Sequence, residues 1–195
     1  MTSTVVFLII VAYLVGSISS AILITKLFAN SDIRQQGSGN PGATNVLRVA
    51  GKRAAVLVFL FDAAKGTIPV YAGFLLGLPP IALSLIAISA CVGHIYPVFF
   101  QFKGGKGVAT AIGAILPLDW WLMLCLLSTW LLIFIVLRIS SLAAIVTLVL
   151  APVYTYIFKP EYTVAVALLC LIIIGKHKDN IKRLIQNKEH TIRRH

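Results

Sequence analysis

Long apolar runs fill most of this sequence and leave few folds open to it. Hydrophobic residues make up 59% of the 195 positions and charged residues only 12%, about half the charged share of a soluble domain. Several runs approach or exceed the roughly 18 residues that span a membrane. The alternating ten-residue strands that are typical of a membrane barrel do not occur in the sequence. We therefore predict an all-α integral membrane protein.

We expect seven transmembrane helices within a single transmembrane domain, residues 1–195. The first run is too long for the core of a signal peptide, so we interpret it as a span. The fourth run is short, since at ~1.5 Å per residue it covers about 17 Å of a hydrocarbon core of ~30 Å. A crossing there implies a thinned bilayer or a polar cavity beneath it. The predicted spans are 4–27, 54–78, 81–100, 108–118, 120–137, 142–158 and 162–175.

The basic residues predict the orientation of these spans. The chain contains 17 Lys and Arg and has a net charge of +11. With seven crossings, one side keeps only Lys159 and Lys65 lies within a span. The positive-inside rule then places the N-terminus outside and the C-terminus in the cytoplasm, where basic residues meet anionic headgroups and phosphorylated substrates. The basic tail contains Lys176, Lys178, Lys182, Arg183, Lys188, Arg193 and Arg194.

We expect no cofactor, no metal and no nucleic-acid partner. The basic residues sit at the ends of predicted helices, which is not typical of a nucleic-acid-binding face. The three cysteines lie singly within apolar runs and do not have the spacing of metal ligands. We predict that all three are small buried hydrophobic residues: Cys91, Cys125 and Cys170.

A glycine- and lysine-rich loop, residues 103–107, leads into the fourth predicted span. A glycine loop that begins a helix leaves backbone N–H groups available to an anion, and its lysines add full positive charge. It is not a Walker A loop, because Lys106 is followed by Gly107 and not by Ser or Thr. The alternative is a positively charged loop at the membrane edge.

A second polar stretch, residues 37–48, lies between the first two spans. Asn40 is a good N-cap, Pro41 suits the first helical position and Gly51 suits the helix end. We therefore predict a short helix over 41–50, whose N-terminus can also face an anion. A capped interfacial helix is the alternative, but capping leaves three polar residues unexplained: Ser38, Asn45 and Arg48.

A third polar stretch, residues 176–184, follows the last span. His177, Asn180 and Leu184 share one face of the predicted helix. His177 is the group there whose unperturbed charge changes near neutral pH. The alternative is a basic juxtamembrane segment that binds anionic lipid.

The three polar stretches are separated by two and by four predicted spans. All of them therefore face the cytoplasm and can converge, with more anion-binding capacity than one phosphate requires. This indicates two phosphorylated partners, at least one of them borne by lipid. Asp62 and Lys65 lie three residues apart inside the second span, where charges are costly unless paired or hydrated. For these two, an ion pair and a site element both remain open.

In these stretches the sequence resembles the bacterial acyl-phosphate:glycerol-3-phosphate acyltransferases, small polytopic membrane enzymes that make lysophosphatidic acid. The resemblance covers almost the whole chain and rests on three ordered motifs, within 37–48, 93–110 and 177–189. It departs from the family where Lys176 replaces an expected arginine and where Asn187-Lys188 replaces a common glycine. The family implies seven spans, a bacterial inner-membrane location and a cytoplasmic-facing site that binds both phosphates.

The reaction that this resemblance implies is acyl transfer to the 1-hydroxyl of glycerol 3-phosphate, with release of phosphate. An acyl phosphate is a mixed anhydride with a good leaving group, so positioning and charge neutralisation matter more than a strong base. The expected partners are acyl phosphate, glycerol 3-phosphate, membrane lipid and an acyl-phosphate-forming enzyme at the membrane. Acyl-CoA is not expected as the donor, because position 99, where a His-x-x-x-x-Asp motif beginning at His94 would need Asp, is Phe.

We assign the residues of the three motifs to two phosphates. Lys103, Lys106 and the amides of 104–107 face one phosphate and the developing oxyanion, and Ser38, Arg48 and Asn180 mainly face the other. Either His177 or the leaving phosphate takes the proton of the attacking hydroxyl. The catalytic candidates are Ser38, Lys106 and His177. The binding candidates are Gly39, Asn40, Thr44, Asn45, Arg48, His94, Lys103, Gly104, Gly105, Gly107 and Asn180.

Two other classes of function remain alternatives. A transporter or channel for an organic phosphate would also use positive glycine loops and intramembrane charges. Its polar groups, however, would be expected at mid-membrane in related halves, whereas these polar stretches lie at one face. A non-catalytic lipid-binding scaffold would not need Ser38, Asn45 and His177.

Overall fold

The computed structural model describes residues 2–191. The regular secondary structure within this range is helical, and it includes no strand. The chain divides between Leu118 and Asp119 into two compact units, which are described separately. A single domain over residues 1–195 stays a prediction. The α-helices within the described residues are α1 (Thr2–Gly16), α2 (Ser20–Ala29), α3 (Ala43–Leu75), α4 (Pro80–Ile95), α5 (Val108–Ile115), α6 (Trp120–Leu137), α7 (Ser140–Phe158), α8 (Thr163–Gly175) and α9 (Lys178–Ile185).

The first predicted span is interrupted between α1 and α2. At the break, the Ser17 hydroxyl donates to Tyr13 O at 2.8 Å, and such local bonds compete with regular helix. Close packing of α1 on α4 follows from two glycines, because a Cβ on Gly16 would collide with Ala90 O and one on Gly93 with Tyr13 O. Small residues in this span thus permit close helix packing.

The predicted short helix and second span form the long helix α3, which is broken at Gly51. This residue adopts the left-handed conformation, with φ of 80°, so the predicted stop is confirmed. The predicted start is wrong: Gly42 and not Asn40 is the N-cap, and the helix begins at Ala43. The reason is a tight turn in which Gly42 N donates to Asn40 O at 3.0 Å.

In the described residues, five helical stretches are long and apolar enough to cross a membrane. Two of the seven predicted crossings fall short of that length: α5 has eight residues and α8 has thirteen. At ~1.5 Å per residue, α5 extends only about 12 Å. It packs closely on α3, because Thr67 Oγ1 donates to Gly113 O at 2.7 Å and a Cβ on Gly66 would collide with Thr110 O. The long spans are 2–29, 43–75, 80–100, 120–137 and 140–158.

The second unit contains α6 to α9. Helix α6 has the predicted bounds, and Asp119 caps it by accepting from Leu122 N at 2.8 Å. The basic tail forms the separate helix α9, while Arg193 and Arg194 lie outside the described residues. The prediction of buried cysteines is confirmed for Cys91 and Cys170, whereas Cys125 is half-buried.

Candidate active site

The loop before α3, residues 37–42, is held by the side chain of Asn45. This side chain is 1% exposed and binds three backbone groups: its Oδ1 accepts from Ser38 N at 2.9 Å, and its Nδ2 donates to Gln36 O at 2.9 Å and to Ile33 O at 3.3 Å. The amide therefore shapes the loop. The assignment of Asn45 to the binding set stays a prediction.

Two of the predicted site residues, one in this loop and one in the first turns of α3, are exposed at the surface. The side chains of Ser38 and Arg48 are exposed, and Thr44 is half-buried one turn before Arg48. Gly37 and Gly39 both have positive φ, of 58° and 71°, which glycine adopts without strain. The loop therefore places the Ser38 hydroxyl just before the N-terminus of α3.

An ion pair neutralises the other arginine of this region. Arg34 Nη2 lies 2.7 Å from Asp32 Oδ2, and Arg34 N donates to Asp32 Oδ1 at 2.9 Å. The side-chain hydrogen bonds from Arg34 hold the pKa of Asp32 below its usual range and raise the pKa of Arg34. Arg34 is therefore committed to Asp32.

The glycine loop, residues 103–107, packs against the C-terminal end of α4. Gly105 N donates to His94 O at 3.1 Å, so this amide is occupied and does not face an anion as predicted. A Cβ on Gly104 would collide with His94 O, and one on Gly105 would collide with His94 Nε2. Gly107 has φ of 90° and caps α5. The lysines project differently, because Lys103 is exposed and Lys106 is half-buried.

The structure brings the first two polar motifs into contact. A Cβ on Gly105 would lie 2.8 Å from Pro41 O, so the glycine loop touches the turn that precedes α3. The loops that lead into α3 and α5 thus touch within one unit, and Lys103 and Lys106 belong to the second of them. Such an arrangement suits anionic groups such as phosphates.

A buried polar cluster lies behind the glycine loop. Asp62 Oδ1 accepts from Ser20 Oγ at 2.7 Å and pairs with Lys65 Nζ at 2.9 Å. His94 Nδ1 lies 3.6 Å from the same oxygen. Sequence reasoning noted Asp62 and Lys65 as intramembrane charges but missed Ser20, which is 42 positions from Asp62 and has no distinctive sequence signal.

The third motif lies in the second unit, at the junction of α8 and α9. His177 is 2% exposed, and its Nδ1 lies 2.8 Å from Ile173 O. Because a carbonyl oxygen only accepts, Nδ1 carries a proton in this contact. Asn180 Nδ2 and Arg183 Nε donate to the two oxygens of Glu189, at 2.9 and 3.0 Å. Glu189 thereby ties the chain after α9 back to that helix.

Comparison with known proteins adds a family to this geometry. A family model for glycerol-3-phosphate acyltransferases matches residues 6–187. The glycerol-3-phosphate acyltransferase of Vibrio cholerae serotype O1 (strain O395) is 54% identical over 189 residues, which are 97% of this chain and 91% of that protein. The protein of the same name from Vibrio campbellii is 57% identical over 181 residues, which are 93% of this chain and 89% of that one.

Two solved structures are similar over nearly the whole chain. Both are of PlsY (YgiH), an integral membrane glycerol 3-phosphate acyltransferase, in its glycerol 3-phosphate form and its lysophosphatidic acid form. The TM-scores are 0.92 and 0.90, and the sequence identities are 39% and 38%. Each alignment covers 97% of this chain and 96% of the other.

Proposed function

The chain belongs to the glycerol-3-phosphate acyltransferase family, and we propose that it takes its acyl group from an acyl phosphate. As a member it is an integral membrane acyltransferase of phospholipid synthesis, which acylates glycerol 3-phosphate to lysophosphatidic acid. The observation that carries the donor proposal is the contact between the two glycine-led loops at Gly105 and Pro41. This contact supports a site that binds two phosphates, and both proposed substrates carry one.

The position of His94 also supports an acyl phosphate donor. The aspartate that approaches its ring is Asp62, in another helix, and both side chains are buried. The ring packs against Gly105, so this pair lies against the glycine loop and is not the His-x-x-x-x-Asp base of an acyl-CoA enzyme. A donor whose phosphate leaves readily has the least need of such a base.

The proposed reaction forms one ester bond and breaks one acyl–phosphate bond. The 1-hydroxyl oxygen of glycerol 3-phosphate attacks the acyl carbonyl, and inorganic phosphate leaves with the bonding electron pair. The hydroxyl proton passes to His177 Nε2 or to the leaving phosphate. Lys103 and Lys106 neutralise charge on one phosphate and on the developing oxyanion. Ser38, Arg48 and Asn180 hold the other phosphate, beside Gly39, Asn40 and Thr44.

Seven crossings of the bacterial inner membrane accommodate this site. Helices α5 and α8 complete the five long spans, with the N-terminus outside and all three polar motifs at the cytoplasmic side. An acyl-phosphate-forming enzyme at the membrane supplies the donor there. The basic residues on that side, including Lys176 and Lys178 at the start of α9, support this orientation.

Transfer by the purified protein tests the donor. Labelled glycerol 3-phosphate is incubated with the detergent-solubilised enzyme and either palmitoyl phosphate or palmitoyl-CoA. We expect lysophosphatidic acid and one equivalent of inorganic phosphate from palmitoyl phosphate, and no product from palmitoyl-CoA. Efficient turnover with the thioester and none with the acyl phosphate would remove this proposal.

Impermeant thiol labelling tests the orientation. Single cysteines are placed at positions 35, 160 and 190 in a variant that lacks the three native cysteines. We expect labelling of intact cells at 160 only, and labelling at 35 and 190 once detergent opens the membrane. Labelling of intact cells at 35 or 190 contradicts the orientation.

A further inference from the structure

The buried cluster behind the glycine loop has no part in the chemistry described so far. Asp62 is 2% and Lys65 is 6% exposed, and charges at such depth in a membrane are costly unless paired. Their pairing is close, because Lys65 Nζ lies 2.9 Å from Asp62 Oδ1 and donates to Ile18 O at 3.0 Å. Ser20 Oγ donates to the same carboxylate oxygen at 2.7 Å. Asp62 of α3 is thus held in place by Lys65 of the same helix and by Ser20 of α2.

The Nδ1 edge of the His94 ring is turned toward this fixed carboxylate. Nδ1 lies 3.6 Å from Asp62 Oδ1 and has no hydrogen-bond partner among the described residues. A buried nitrogen without a partner costs free energy. A shift of roughly half an ångström would bring Nδ1 within hydrogen-bond distance of the carboxylate. Asp62 is therefore the group that can fix the orientation of the ring.

The opposite side of His94 supports the glycine loop. Its backbone oxygen accepts from Gly105 N at 3.1 Å, and a Cβ on Gly105 would collide with Nε2 and lie 2.9 Å from Cε1. The loop backbone is therefore in direct contact with the imidazole ring. Rotation of that ring would move Gly105, and with it the flanking Lys103 and Lys106.

We propose that Asp62 is a positioning residue, whose carboxylate holds the His94 ring so that the ring holds the glycine loop in its substrate-binding shape. The inference rests on the proposed function, in which this loop binds one phosphorylated substrate. A buried ion pair is weak evidence for stability, because apolar replacements are often tolerated. The contact between Asp62 and His94 instead indicates that the ion pair fixes the orientation of the histidine ring.

Two matched variants at the same oxygen separate positioning from stability. Asp62→Asn keeps the shape of the side chain but removes the negative charge that faces His94. Ser20→Ala removes a hydrogen bond to the same oxygen and leaves the carboxylate in place. KM for glycerol 3-phosphate, KM for palmitoyl phosphate, kcat and the melting temperature are measured for each. Lys103→Ala serves as the reference, because the KM that it raises identifies the substrate bound by the loop.

We expect Asp62→Asn to raise that same KM about tenfold while kcat changes by less than about threefold. Ser20→Ala should lower the melting temperature and leave both KM values within about twofold of wild type. Asp62→Asn leaves Lys65 without its counter-charge and is open to misfolding. The variant Asp62→Asn/Lys65→Met removes both charges and should show the same rise in KM.

A double-mutant cycle tests the route through His94. If Asp62 acts through the ring, the KM of Asp62→Asn/His94→Asn equals that of His94→Asn alone. If the KM effects of Asp62→Asn and His94→Asn add, the inference is wrong. It is also wrong if Ser20→Ala raises KM as much as Asp62→Asn does for an equal loss of melting temperature. An active wild type whose folded Asp62 variants keep a normal KM overturns this inference alone. A wild type that makes no lysophosphatidic acid removes the proposed function as well.

Discussion

The two loops that meet at Gly105 and Pro41 are held in opposite ways. The loop before α3 is held by one side chain, since the Asn45 amide binds three backbone groups around it. The glycine loop, residues 103–107, is held by the lack of side chains, which lets its backbone lie directly on His94. One loop is fixed by hydrogen bonds from a buried side chain, and the other by contacts between its backbone and an imidazole ring.

This difference indicates how each loop contributes to binding. In the first loop the backbone is fixed by the buried amide, so an exposed side chain such as that of Ser38 can face a ligand. In the second loop the backbone contacts set the shape, and the positions of the lysines depend on that shape. Both loops nevertheless require glycine, because a Cβ on Gly37 of the first loop would collide with Asn45 Oδ1.

Gly105→Ala should have the largest effect. The new Cβ would collide with His94 Nε2 and lie 2.8 Å from Pro41 O, and the backbone oxygen cannot move aside as a flexible side chain can. We expect transfer to fall at least about a hundredfold, because a displacement near 1 Å in a positioned site costs that much. Acyl-transfer rates and melting curves of the purified variant provide the measurement.

Gly175→Ala is the matched control for this change. No atom lies within 4 Å of a Cβ built at Gly175, and alanine favours a helix. Its activity and melting temperature should equal those of wild type. Near-normal transfer by Gly105→Ala would show that activity does not depend on the close contact between this loop and His94.

Lys106→Ala should come next, with a loss of about a hundredfold in transfer, or ~3 kcal/mol. Lys106 is half-buried just before the glycine that caps α5, where its charge adds to that of the helix N-terminus. Lys106→Arg should rescue poorly, because a planar guanidinium does not replace a compact ammonium. If Lys106 only determines topology, Lys106→Ala retains activity within a factor of a few, and the assignment of this loop is then wrong.

Asn45→Ala should act on stability first and on activity second. It leaves Ser38 N and Gln36 O without their partner, at a cost of about 1–3 kcal/mol. The loop then loosens, and we expect KM to rise by about tenfold while kcat falls less. Gln36→Ala is the control, since that side chain is exposed on the same loop. An unchanged KM in Asn45→Ala would show that the buried amide does not control the binding shape of this loop.

The apolar runs were sufficient to predict most helices. Helix α6 has the predicted bounds, and the left-handed Gly51 ends the short helix where expected. The break after Gly16 was missed because a serine hydroxyl that bonds its own backbone hardly changes the apolar pattern. The start of α3 was misplaced because the preference of Asn40 for an N-cap was overridden by the turn at Gly42.

The site was harder to predict than the helices. The chemistry of Asn45 marked it as polar and important, but its partners are backbone groups that leave no sequence signature. Similarly, nothing local predicts that Asp62 and His94 face each other from different helices. Composition and motif spacing therefore identify which residues matter, whereas only the packing separates those that can face a ligand from those that hold them.

The smallest effect is expected at the ion pair beside the first loop. Asp32→Asn can still accept from Arg34 N and so removes the charge alone. Arg34 lowers the pKa of Asp32 in the folded state. The carboxylate therefore stabilises the fold above its unfolded pKa, near 4, and this contribution is lost as the pH falls through the lower folded value.

We therefore expect Asp32→Asn to lower the melting temperature by only about 1–2 °C at pH 7, since exposed pairs are weak. The difference from wild type should shrink as the pH falls below about 4, and KM should stay within about twofold at pH 7. Melting curves across this pH range and initial rates at pH 7 measure both effects. A rise in KM as large as that of Asn45→Ala would mean that the ion pair, and not the buried amide, holds the first loop, which would end the contrast between the two loops.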